Sequence, residues 1–92
     1  MYIRSKENAS SLKITLKDYY QNSDFIHINM DDSIPTIRNI IGTNKCEINI
    51  FDKENSDLKI IISVIDNLNR GSSGQALQNF NILFNLPEST GL

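Results

Sequence analysis

The chain has 92 residues, nine basic against eleven acidic side chains, a formal net charge of −2 and a 39% hydrophobic composition. That length holds one domain with a modest core and excludes a nucleotide-binding domain and a catalytic domain side by side. The scattered lysines and arginines form no basic face for nucleic acid or an anionic membrane, and the single cysteine, Cys46, excludes an internal disulfide. A lone thiol fits a reducing compartment, by default the cytoplasm, or an organelle in a eukaryote. Met1 to Glu7 carries no sustained apolar segment of secretory type, and no stretch is long enough to span a bilayer.

In chain order, Tyr2 to Arg4 reads as the tail of a strand, followed by a polar loop. From Ser10 or Ser11 as N-cap, Leu12, Leu16, Tyr19 and Tyr20 fall on one face of a helix. After the polar turn Gln21 to Asp24, Phe25 to Asn29 is a short strand with Phe25 and His27 on one face and Ile26 and Ile28 on the other. Met30 to Asn44 is irregular, with an Asp31-Asp32 turn and Pro35 barring a central ladder position, and is expected to form an extended excursion with one short strand. Cys46 to Phe51 and Leu58 to Ile65 are two strands joined closely enough to pair as an antiparallel hairpin. The second is apolar on both faces, which places it centrally, covered on one side by helices and on the other by a partner or domain.

The apolar run breaks at Gly71-Ser72-Ser73-Gly74, and helical spacing resumes through Ala76, Leu77, Phe80, Leu83 and Phe84. An amphipathic helix from Ser73 to about Leu86, ended by Pro87, follows. Gln75, Gln78, Asn79 and Asn85 line its polar sides. The fold class is α+β, a mixed or antiparallel sheet with helices on one face. Gly71 and Gly74 permit a tight turn or close approach to a ligand, and the first N–H groups of the helix point at that hinge. A loop and N-cap with no ligand is the simpler reading of the same residues.

Other residues carry less. His27 has no local Asp, Glu or Cys arranged to act with it, and Cys46 lies on a strand without a nearby base, so both read as structural. Asp31, Asp32, Asp52 and Glu54 sit in turns and lack the glycine and closing glutamate of a calcium loop; no metal site is assigned. Among the cations, Arg70 stands out only for its place beside the hinge.

The C-terminal stretch I-D-N-L-N-R-G-S-S-G-Q-A-L-Q-N-F-N-I-L-F-N-L-P-E-S-T-G-L resembles the end of N-acetyl-gamma-glutamyl-phosphate reductases, which close with I-D-N-L-x-K-G-A-x-G-Q-A-x-Q-N-x-N and P-E-T-x-G-L. D-Y-Y-Q-N-S-D-F-I-H-I and I-I-G-T-N-K-C-E-I resemble further segments of that family, so the likeness runs from about Lys17 onward. It implies the architecture of a glyceraldehyde-phosphate-dehydrogenase-like catalytic and dimerisation domain. The activity implied is NADPH-dependent reduction of an acyl phosphate to a semialdehyde in arginine biosynthesis, within a homo-oligomer.

In that family a cysteine in an N-P-G-C-Y context attacks the acyl phosphate and a histidine assists proton transfer. Cys46 and His27 match other positions, and the glycine-rich dinucleotide fingerprint has no counterpart here. The likeness therefore places residues 1–92 in part of the catalytic and dimerisation domain, with residues from about 66 to 92 forming the hinge and a helix facing the cofactor. It implies no catalytic residue in this chain, and it makes Asn67, Gly71, Gly74 and Gln75 cofactor-binding positions for NADPH or NADP. The remainder of the same enzyme is the implied partner. A reductase of N-acetyl-aminoadipyl phosphate and a non-catalytic oligomerisation module are the competing readings.

Overall fold

The computed structural model describes all residues from Met1 to Leu92. A four-stranded mixed sheet has the order β1 (Tyr2–Arg4), β4 (Leu58–Ile65), β3 (Cys46–Asp52), β2 (Ile26–Ile28). β3 and β4 form the expected antiparallel hairpin, β1 pairs antiparallel with β4, and β2 runs parallel to β3. The run of β-branched residues in β4 thus occupies a central position. Helix α1 (Ala9–Tyr19) crosses from the β1 edge to the β2 edge and packs on β2 and β3.

Side chains alternate across a strand, so the register assigns the two faces. Ile28, Ile48, Ile50 and Ile61 share the face under α1, where Ile28 and Ile50 are buried with Ala9. Asp52 lies on that face, accepts the Ala9 N–H at 3.0 Å and meets the buried Lys59 ammonium at 3.4 Å. The opposite face carries His27, Glu47, Asn49, Phe51, Ile60, Ile62 and Val64. Its β3 part is covered by residues 31–39, whereas Ile60, Ile62 and Val64 stay half-buried.

Helix α1 begins earlier than the serines predict. Asn8 is the N-cap, its Oδ1 accepting the Ser11 N–H at 2.8 Å. An asparagine caps as well as a serine, and this one places Ala9 inside the first turn. Its buried residues are Ala9 and Lys13, while Tyr19 points outward at 78% exposure. Lys13 buries its aliphatic stem and passes its ammonium to the Asp31 carbonyl at 3.2 Å.

The segment after β2 holds no strand. It forms a single 3-10 turn, Ile37–Asn39, with Pro35 and Ile40 buried. Where β2 ends, Asn49 replaces its ladder: Oδ1 accepts the Ile50 N–H, and Nδ2 donates to the Asp31 and Ser33 carbonyls. Asn49 is wholly buried. Local satisfaction by one amide removes the need for a further strand.

Helix α2 (Ser73–Leu83) ends before Leu86. Asn85 takes φ 56°, Leu86 N–H donates to the Asn81 carbonyl and Asn85 N–H to the Ile82 carbonyl, a Schellman stop that precedes Pro87. Its orientation also departs from the apolar stripe. Gly74, Gln78 and Asn81 are the buried residues, and Phe80, Leu83 and Phe84 are exposed. The helix makes no extended packing contact with the sheet; of the two helices, only α1 covers a sheet face.

The molecule measures 46 × 25 × 19 Å, with a radius of gyration of 14.7 Å against the roughly 12 Å of a compact chain this long. Its surface of 6398 Å² exceeds the roughly 5,400 Å² of a compact monomer of this mass. The projecting α2 and the half-bare sheet face account for an open shape.

Candidate functional site

The turn between β4 and α2 is fixed by polar side chains. Asp66 is buried; its Oδ1 accepts the Leu68 N–H at 3.0 Å and its Oδ2 the Gly42 N–H at 2.8 Å. The Asp66 carbonyl accepts from the N–H groups of Asn69 and Arg70. One aspartate therefore folds the Asp66–Arg70 turn and joins it to the Gly42–Asn44 loop.

A second layer lies between that loop and α2. Asn44 Nδ2 donates to Gln78 Oε1 at 2.8 Å, and Arg70 Nη1 donates both to the Asn44 carbonyl at 2.6 Å and to Gln78 Oε1 at 3.2 Å. Asn44 and Gln78 are buried, and Asn44 Oδ1 is the one buried side-chain atom left without a partner. It sits 2.4 Å from where a Cβ on residue 74 would lie, with Asn69 Oδ1 and the Asn69 carbonyl at 2.7 and 2.8 Å. Only a glycine fits at 74. The Gly74 N–H completes the layer by donating to the Asn69 carbonyl.

Cys46 lies close enough to Arg70 to feel its charge. Burial pushes the thiol up from its ordinary 9.0, and the guanidinium opposes part of that rise. A half-buried thiol held in its neutral form is a poor nucleophile, consistent with a structural role.

The four sequence-selected positions divide in two. Asn67 is exposed and its amide makes no hydrogen bond within the chain; Gln75 is half-buried and uses only Nε2, donating to Asn79 Oδ1 at 3.2 Å. Gly71 is exposed beside Asn67, whose Oδ1 lies 1.9 Å from the position of a Cβ on residue 71. Gly74 is buried against this chain's own Asn44 and Asn69. Asn67, Gly71 and Gln75 thus flank the N-terminal end of α2, and Gly74 anchors it.

That helix end is open. Ser72, the N-cap, makes no side-chain cap bond, and the Ser73 and Gln75 N–H groups find no acceptor within the chain. The Asn67 amide and the Gln75 Oε1, next to these unsatisfied N–H donors, leave hydrogen-bonding capacity exposed at the start of α2.

A concavity of about 900 Å³ runs along β2 and is lined by His27, Asn29, Lys45 and Glu47 among others, but by none of the four hinge positions. It follows the outer edge of an edge strand. Glu47 is buried there, its carboxylate accepting from Asn29 Nδ2 at 2.6 Å and Asn39 Nδ2 at 3.4 Å. His27 is exposed beside it and makes no side-chain hydrogen bond.

Residue types alone did not single out Asn44, Asp66, Gln78 or Asn81. Each lies within the quoted family segments, and spacing gave no sign of their contacts because the partners sit far away in sequence. Asn81 is 1% exposed, its Nδ2 donating at 2.9 Å to both the Glu88 and the Thr90 carbonyls, which folds the C-terminal tail back on α2.

Residues 1–67 match the family described as semialdehyde dehydrogenase, dimerisation domain, and the chain belongs to that family. Over nearly its whole length it is similar to enzymes of one kind. It is 44% identical over 84 residues to the probable chloroplastic N-acetyl-gamma-glutamyl-phosphate reductase of Oryza sativa subsp. japonica, covering 91% of this chain and 20% of the rice protein. It is 40% identical over 90 residues to the N-acetyl-gamma-glutamyl-phosphate reductase of Staphylococcus aureus strain USA300, covering 98% of this chain and 26% of the relative. The chain spans about a fifth to a quarter of the length of these relatives. No helix is long and apolar enough to cross a membrane.

Proposed function

We propose that this chain acts as the C-terminal part of an NADPH-dependent reductase converting N-acetyl-glutamyl phosphate to N-acetyl-glutamate semialdehyde, a step of arginine biosynthesis. The observation that carries this reading is the similarity to N-acetyl-gamma-glutamyl-phosphate reductases along 91–98% of the chain. The open end of α2 supports it. Asn67 and Gln75 would hold the carboxamide of the cofactor, Gly71 would let it approach, and Gly74 keeps the helix start in place. When bound, the cofactor would supply hydride, and these residues would hold its carboxamide end.

The reactive cysteine and the proton-transferring histidine belong to the part of the longer polypeptide outside this chain. By itself the chain is inactive. Its bare surfaces suit such an assembly: Ile60, Ile62 and Val64 face a second copy in a homo-oligomer, and the outer side of α2 faces the nucleotide-binding part. The assignment places the enzyme in a soluble compartment, the cytoplasm or an organelle.

The test is NADPH oxidation by the full-length polypeptide carrying this segment, offered N-acetyl-glutamyl phosphate or N-acetyl-aminoadipyl phosphate. Preference for the glutamyl substrate, with no turnover by residues 1–92 alone, is expected. Preference for the aminoadipyl substrate moves the enzyme to lysine biosynthesis, and no turnover of either leaves the oligomerisation module as the better account.

A further inference from the structure

We infer that Arg70 is a positioning residue for the cofactor wall, setting the geometry of Asn67, Gly71 and Gln75 without touching the ligand. The inference rests on the assignment of those three residues to the nicotinamide side. Arg70 is half-buried, and neither of the chain's two ion pairs, Arg4 with Asp57 and Lys59 with Asp52, involves it. Its bonds run instead to two neutral oxygens, the Asn44 carbonyl at 2.6 Å and Gln78 Oε1 at 3.2 Å. One belongs to the loop before β3, the other to the second turn of α2. Arg70 itself is part of the turn that carries Asn67 and Gly71, so three separate segments of the chain meet at one guanidinium, one through a backbone carbonyl and one through a side-chain amide.

Both bonds leave the same nitrogen, Nη1. The planar fork that makes arginine hard to replace at bidentate sites is therefore unused by these two contacts, and an ammonium with three donors could make both. The lysine in the family pattern quoted above, N-L-x-K-G, stands at this position. Removing the donor frees Gln78 Oε1 to follow Asn44 alone and leaves the Asn44 carbonyl without this donor. The turn from Leu68 to Ser72 then keeps the Asp66 contacts and the Ser72 and Gly74 N–H bonds to the Asn69 carbonyl, but loses its tie to the Asn44 loop and to the second turn of α2, and the residues it carries are held less firmly.

The test uses the full-length polypeptide, with NADPH binding followed by fluorescence in the absence of substrate and amide hydrogen exchange followed over residues 66–78 without ligand. Arg70→Met, which keeps the stem and removes the donors, is expected to weaken NADPH binding about tenfold and to speed exchange across the turn, while kcat at saturating NADPH changes less than about threefold. Arg70→Lys is expected to restore affinity to within about threefold of the parent. Asn81→Ala, which loosens the opposite end of the same helix, lowers the melting temperature without moving NADPH affinity.

Unchanged affinity in folded Arg70→Met, or Arg70→Lys behaving like Arg70→Met, overturns the proposal. If Arg70→Met does not fold, Gln78→Met retains Arg70 and its bond to the Asn44 carbonyl. A weakening of about threefold is expected there, and no weakening also overturns it. Gln75→Ala separates this claim from the one beneath it. If Gln75→Ala leaves affinity intact, the cofactor wall itself is misassigned; if it weakens binding and Arg70→Met does not, only the positioning role fails.

Discussion

Arg70 donates to the backbone carbonyl of Asn44 at 2.6 Å across 26 residues of sequence. The bond joins two loops at opposite ends of the β3–β4 hairpin's sequence, which lie side by side because the hairpin returns the chain. It turns what reads locally as a flexible glycine-serine hinge into a cross-braced turn.

The two hinge glycines should respond differently to alanine. At Gly74 the new Cβ would lie 2.4 Å from Asn44 Oδ1 and 2.8 Å from the Asn69 carbonyl, inside a buried layer. Gly74→Ala is expected to cost about 2–3 kcal/mol of stability, measured by denaturant unfolding. At Gly71 the closest clash is with the exposed Asn67 side chain, which can rotate away, although the Asn67 carbonyl at 2.9 Å is also tight. Gly71→Ala should therefore destabilise less and weaken NADPH binding more.

Asn81→Ala removes both side-chain bonds to the tail carbonyls of Glu88 and Thr90. A loss of about 1–3 kcal/mol is expected, with faster protease cleavage after Leu86. Tail cleavage at the parent rate would mean that the Schellman stop at Asn85 holds the tail without Asn81.

Much of the sheet is legible in the sequence, because Cys46–Asp52 alternates apolar with polar residues, Leu58–Ile65 is rich in isoleucine and valine, and a short polar loop separates them. Helix α2 is legible as an element and misread in orientation. Periodicity reveals that Phe80, Leu83 and Phe84 form a stripe but not what covers it, whereas Gln78 and Asn81 are drawn inward by loop carbonyls and amides that lie elsewhere in sequence. The hinge is visible in Gly71-Ser72-Ser73-Gly74; the reason for Gly74 is not, since its neighbour Asn44 comes 30 residues earlier. Asn8 as cap and the strandless 30–44 segment are not legible in the sequence, because serine and asparagine caps are nearly equivalent and because one buried amide, Asn49, bonds the Asp31 and Ser33 carbonyls from another strand.

Asp31 gives a pH signature. The Ser33 hydroxyl and then the Ser33 N–H, with smaller help from Lys13, hold its carboxyl below the ordinary 3.8. A depressed folded-state pKa contributes stability above the unfolded value and loses it as pH falls through the folded value. The parent should therefore lose part of its stability below about pH 4, and Asp31→Asn should flatten that limb of the stability curve. An unchanged acid limb would assign it to other carboxylates.

The outer side of α2 offers a test of assembly. From Gly71 to Pro87 no residue is charged, in a chain that is 22% charged, and Phe80 and Phe84 stack at 4.5 Å while 49% and 63% exposed. In the full-length polypeptide Phe80→Ser is expected to cost about 2–4 kcal/mol, as for a covered ring. A cost below about 1 kcal/mol would show the face to be bare there too.

Cofactor contact by the hinge amides is tested by the NADPH KM of the full-length polypeptide carrying Asn67→Ala and Gln75→Ala together, with the melting temperature recorded alongside. A rise of about tenfold or more in KM with little change in melting temperature is expected, because the two amides make only one hydrogen bond within the chain, from Gln75 to Asn79. An unchanged KM with a lowered melting temperature would contradict it and make these residues part of the cap of α2.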